Sequence, residues 1–177
     1  MATQSQIISA LPTMNDASYL PSTRTSAIAA ILAFAPVVVI LIAFPNIWWR
    51  DYPGLIFHLA LFLLIPRLPT PAWGRAAGYG WLLIDVTVGI MTLNGVPVEI
   101  AAPMRLGGHV FAGLWLITSS LPGTVPIRIV GLIAGAWMLA FSFISPFFPA
   151  GVLAPASMMI LVWLIIIAWQ DGTTGKR

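Results

Sequence analysis

One carboxylate and two imidazoles interrupt otherwise apolar stretches of this 177-residue chain, and chemistry, if there is any, must start from them: Asp85, His58 and His109. Asp85 lies in the stretch 76–93, AAGYGWLLIDVTVGIMTL. This stretch is apolar enough to cross a bilayer, where a charged side chain costs roughly 2.5–3.5 kcal/mol and must face protein or trapped water rather than lipid. Such a group can bind a proton or a cation. Its structural alternative is a hydrogen bond to Thr87, Thr118, Ser142 or a tryptophan N–H of an adjacent helix. At helical spacing Gly78, Asp85, Gly89 and Thr92 form one small, polar stripe, and this span is expected to be central in the bundle. No second acid lies within a span, so a relay of carboxylates is absent.

The two histidines fall at matched depth. His58 is five residues after Pro53 and His109 three after Leu106, a difference of about 3 Å at 1.5 Å per residue. Two imidazoles so placed on different helices suit an axially ligated haem b, and one suits the magnesium of a chlorophyll or bacteriochlorophyll. Gly107 and Gly108 would admit a flat ring that Phe57, Phe111 and Trp115 could line. The plainer expectation is hydrogen bonding to a neighbour or to the headgroup region. Trp81, Trp115 and Trp137 fall within spans rather than at their ends; they either stack on a ring ligand or, more simply, fill space between helices. Arg50 with Asp51, and Glu99 with Arg105, form two charge pairs expected on the outer face, as a polar gate, a subunit contact or ordinary solvated pairs.

Several functions are excluded by what is missing. The chain has no cysteine, which removes disulfides, thiolate metal sites and cysteine nucleophiles. It has no HExxH, GxSxG or phosphate-binding loop and no paired carboxylates. The serines nearest His109, Ser119 and Ser120, are more than two helical turns away. No catalytic constellation remains, and no run of Lys and Arg exists to neutralise nucleic-acid phosphates. The expectation is a non-enzymatic protein with no nucleic-acid partner.

These residues must be positioned by membrane helices. The chain is 59% hydrophobic and 7% charged, with a mean hydropathy of +0.97, far from the roughly 25% charge of soluble domains. The fold class is an all-α, polytopic transmembrane bundle of about six helices: 27–44, 53–65, 76–93, 106–121, 127–148 and 152–169. A polar tail, 1–26, in which Asp16, Tyr19 and Leu20 could rest on a partner, precedes them, and a polar tail, 170–177, follows. Pro36 predicts a kink in the first span rather than a break. Span 53–65 reaches only about 20 Å and is the weakest crossing. Residues 98–105 read as a connector. The aromatic segment Trp48, Trp49 and Tyr52 belongs at the headgroup level. With six crossings, Arg24, Arg67, Arg75, Arg128, Lys176 and Arg177 share one side, against Arg50 and Arg105 on the other. That bias predicts both termini in the cytoplasm and an inner-membrane location.

Three functions fit. The first is a small accessory or structural subunit of a larger membrane complex, suggested by short loops and by small-residue faces on the third and fifth spans, with other membrane subunits or a second copy, and the lipid bilayer, as partners. The second is a transporter or substrate-binding subunit for a small solute or ion, using Asp85 as its polar anchor. The third is a haem or chlorophyll carrier using His58 and His109.

Overall fold

The computed structural model describes residues 21–44, 47, 49 and 51–174. Arg50, Trp48, Lys176, Arg177 and the tail residues Asp16, Tyr19 and Leu20 lie outside them. Within the described residues the protein has six α-helices: α1 (Thr23–Ala43), α2 (Asp51–Leu64), α3 (Ala72–Leu93), α4 (Val98–Ser120), α5 (Val125–Ile144) and α6 (Ala154–Thr174). All but α2 are long and apolar enough to cross a membrane. The molecule is a multi-pass membrane protein with a helical-bundle fold.

The helix ends follow local chemistry. Ser22 caps α1, its hydroxyl accepting from the Thr25 amide at 3.1 Å, and the helix continues through Pro36. Asp51 places a carboxylate at the positive end of α2. That helix covers only about 21 Å and tightens at Pro66 into a 3-10 turn, Ile65–Arg67. At the end of α3, Gly95 takes φ +77°. Its amide reaches Thr92 O and the Val96 amide reaches Met91 O at 3.0 Å, the double bond that closes a helix on a left-handed glycine.

Residues 98–105 are not a connector. They form the first two turns of α4, which starts from Pro97. Glu99 suits the first turn by its charge, and Pro103, inside the helix, removes the backbone bond its amide would make to Glu99 O, a loss that a membrane bundle can absorb. At the other boundaries, α5 stops before Pro146, which opens a 3-10 turn at Ser145–Phe147, and a second turn, Ala150–Leu153, leads into α6.

Each helix packs against its neighbours in the chain, and α6 returns to α1, closing a six-membered ring. The third helix is therefore one stave of a ring and not its centre. Small residues set the closest crossings. A Cβ on Gly113 of α4 would lie 2.6 Å from Gly135 O of α5, and one on Gly135 would lie 2.8 Å from Gly113 O. The small-residue faces of α3 and α5 are consumed in this way inside the chain: Gly78 faces Trp115, Gly89 faces Leu55, and Gly131 faces Ser120 and Trp163.

The ring's interior is filled by Phe34, Phe57, Leu61, Trp81, Trp115 and Trp163, with smaller residues between them. Its exterior exposes Leu32, Ile56, Leu83, Ile129 and Phe143, as a surface facing lipid requires. The two ends of the bundle differ. One carries Asp51, Leu93 and Val98, and is called here the Asp51 end; the other carries Thr23, Arg67, Ala72 and Ser120, and is called the Arg67 end.

Candidate functional site

Asp85 points into the ring and is 6% exposed. Because α3 starts at Ala72, Asp85 is about 20 Å along the helix from that end and about 12 Å from Leu93, displaced from the midplane toward the Asp51 end. The same extension carries His109 eleven residues into α4 rather than three, so the histidines lie well inside the bundle.

Three helices converge on the carboxylate. From α2, His58 Nε2 lies 3.1 Å from Asp85 Oδ2. One turn earlier on α3, Trp81 Nε1 donates to the same oxygen. From α4, Gly108 opens the space that Asp85 Oδ1 occupies, for a Cβ there would stand 3.0 Å from that oxygen. Asp85 Oδ1 is buried with no hydrogen-bond partner, and so is Nδ1 of His109, the residue after Gly108. The groups expected beside Asp85 are elsewhere: Thr87 donates to Leu83 O, Thr118 to Leu114 O and Ser142 to Met138 O. In an apolar helix a hydroxyl finds its own backbone carbonyl more readily than a distant acid.

His58 fixes the proton count. Its Nδ1 is 2.7 Å from Gly54 O, and a carbonyl can only accept, so Nδ1 carries hydrogen. Nε2 and Asp85 Oδ2 then need one further proton between them, held either as imidazolium facing carboxylate or as carboxylic acid donating to neutral imidazole. In both forms the pair is neutral overall, which is how an ionisable pair is kept in an apolar interior.

A file of aromatic rings leads away from the site. His58 meets Trp81 edge-on at 5.3 Å, Trp81 lies 5.6 Å from Trp115, and Trp115 lies 5.5 Å from Trp163 of α6. Trp137, grouped with Trp81 and Trp115 by sequence, is instead part-exposed, and its Nε1 donates to Val152 O. Trp163, which is fully buried, takes the third place. A tryptophan in the middle of an unbroken apolar run is not distinguished by sequence from one facing lipid.

Of the expected charge pairs, Arg50 with Asp51 involves a residue outside the described ones. Arg105 Nη2 bonds Asp51 Oδ1 at 3.0 Å, joining α4 to α2, and Glu99 is exposed in the first turn of α4. The i, i+4 and i+7 spacing of Ala101, Arg105 and Gly108, read as one helix face, was the signal that could have placed Arg105 inward. A haem ligated by both histidines does not fit this arrangement. Both ring nitrogens of His58 are engaged, α3 separates α2 from α4, and Trp81 fills the space beside His58. Among the described residues no group of three or more metal-ligating side chains converges.

Two cavities lie elsewhere. One, of about 410 Å³ at the Arg67 end, is lined by Arg67, Ser119, Thr124 and Gln170 among others. The second, of about 500 Å³, is an apolar groove on α5 lined by Ile133, Ala136, Trp137 and Phe148. No family model, curated protein or solved structure matches this chain.

Proposed function

We propose that this membrane protein is a non-enzymatic, proton-linked transporter of a small solute or ion, with Asp85 as its proton-binding group and His58 as the partner that shares the proton. The observation that carries this reading is the Asp85–His58 contact at 3.1 Å inside a closed ring, together with the second carboxylate oxygen, which is buried without a partner. Intramembrane acids are costly and are found where ions or protons pass. Here the pair already holds one exchangeable proton, and Oδ1 offers a place for a second. Supporting it further, the small-residue faces that would suit docking to other subunits are spent within the chain's own ring.

The experiment is proton flux into liposomes containing the purified protein, followed with an internal pH dye under an imposed pH gradient. Asp85→Asn keeps the shape of the side chain and an acceptor for Trp81 while the exchangeable proton is lost, and thermal unfolding in detergent, compared with the parent's, checks that the fold is retained. Flux falling to the level of empty liposomes is the expected outcome. Flux equal to the parent's removes Asp85 from the role.

An accessory subunit is the second reading, and the α5 groove favours it: an apolar trough on the lipid face suits a helix of another membrane protein. Retention of a specific membrane partner through mild solubilisation, lost in Ala136→Trp, would support that assignment.

A further inference from the structure

The ion pair Asp51–Arg105 joins helices that are not neighbours. In the ring α2 and α4 are separated by α3, yet Arg105 Nη2 and Asp51 Oδ1 meet at 3.0 Å. Both residues lie on the inward stripes of their helices. Arg105 is one turn from Ala101 and from His109, both buried, and Asp51 is two turns from His58 on the face that continues to Leu61 and Ile65. The bridge therefore runs across the mouth of the ring at the Asp51 end, above His58, Asp85 and His109. The Asp51 side chain is only 10% exposed and that of Arg105 37%, so the pair forms a partly dehydrated roof over the site.

We infer that the Asp51–Arg105 ion pair is the gate through which Asp85 communicates with the solution at that end of the bundle. Closed, the pair excludes water from the acid. Open, it leaves the two side chains solvated and the mouth of the ring wet. A paired guanidinium and carboxylate suit this role because their attraction is nearly balanced by the gain in hydration on separation, so opening does not require unfolding of either helix. The inference rests on the transport reading for its purpose, but its geometry stands apart from whether Asp85 carries a proton.

The test uses the absence of native cysteine. Val88 on α3 lies one turn from Asp85 toward the gate and is 1% exposed, so Val88→Cys places a thiol beneath the roof. The rate at which a charged, membrane-impermeant thiosulfonate reagent labels that thiol is measured in protein held in nanodiscs, where both faces are open. With the bridge intact labelling is slow. In Asp51→Asn or Arg105→Gln it rises by about tenfold, the usual order for loss of one coupling contact. The exchanged pair Asp51→Arg with Arg105→Asp restores slow labelling. Arg105→Lys, which keeps the charge without the planar fork, gives an intermediate rate and serves where Arg105→Gln does not yield a monodisperse protein.

Labelling that is already fast in the parent, unchanged in the single variants, or fast in the exchanged pair overturns the gate. Proton flux that is indifferent to Asp85→Asn while labelling follows the bridge would remove the transport reading and leave the gate standing.

Discussion

The two halves of this ring are built on different physics. Toward the Asp51 end the interior holds His58, Asp85 and His109 beneath the Asp51–Arg105 bridge. Toward the Arg67 end it holds Trp115 and Trp163, with Thr118 and Ser119 hydroxyls turned back onto their own helix carbonyls. In the first half, the contact between Asp85 and His58 depends on where a proton sits. In the second, the Thr118 and Ser119 hydroxyls are neutral and the helices are held by close fit. A bundle needs only the second kind of interior to fold in lipid, where van der Waals packing replaces the hydrophobic force. The first kind adds cost, and it is concentrated in the half on which the proposed function rests.

That division predicts the largest effect away from the charges. Gly135→Val sets a side chain against the Gly113 carbonyl, since even a Cβ there meets it at 2.8 Å. Backbone cannot yield as a flexible side chain does, and the expected loss is about 3 kcal/mol or more, at or beyond the upper end of overpacking penalties. Gly107→Ala on α4, with nothing within 4 Å of the added Cβ, is the control. It should be neutral or slightly stabilising, because alanine favours a helix over glycine by roughly 0.5–1 kcal/mol. Thermal unfolding in detergent separates them, and equal midpoints would mean that the glycine crossing does not hold α4 to α5.

The charged half should behave in the opposite way, with double replacement gentler than single. Asp85→Leu strands His58 Nε2 and the Trp81 N–H in an apolar interior, a cost of roughly 1–3 kcal/mol for each unpaired polar group. Adding His58→Phe removes one of the stranded groups, and the double variant should recover a good part of the stability while carrying no proton flux. Such a result is usual when a buried polar pair is exchanged for apolar residues of similar volume. A double variant less stable than Asp85→Leu would show that the pair contributes to the fold as well as to function.

The contrast between the halves also explains which features were legible in the sequence. Membrane residence and a bundle of about six helices follow from apolar runs punctuated by proline and glycine, and Asp85 stood out because it breaks such a run. Of the stripe Gly78, Asp85, Gly89 and Thr92, the first three are buried as its spacing implied, while Thr92 is half-buried. What hydropathy does not encode is adjacency. Nothing in the order of residues says that α6 returns to α1, or that His58 rather than Thr118 meets Asp85. Residues 98–105 resemble a connector because Glu99, Pro103 and Arg105 look like a loop when scored one by one, whereas Pro97 and Glu99 together make a sound helix start. The bridge is not visible in that pattern, since Arg105 has an inward direction only once α4 begins at Val98. Trp163 was hidden for the opposite reason: α6 is apolar on all sides, so no polar face points away from the core.

A finer test applies one substitution to both halves. Trp81 and Trp115 are both buried, at 2% and 0% exposure, and their rings lie 5.6 Å apart. They differ in the indole N–H. That of Trp81 donates to Asp85, while that of Trp115 is buried with no partner. Trp81→Phe removes a hydrogen bond to an ionisable group, worth roughly 1.5–3 kcal/mol, in addition to the packing of the larger ring. Trp115→Phe loses the same packing but also removes an unpaired polar group whose burial is itself unfavourable by about 1–3 kcal/mol, so the two terms oppose each other. The expected outcome is that Trp81→Phe is the more destabilising by about 2 kcal/mol, read from detergent unfolding of the two single variants, and that it alone alters the pH dependence of proton flux. Equal losses would mean that Trp81 serves Asp85 only as a wall, and the division between a proton-holding half and a packing half would have to be redrawn around His58 alone.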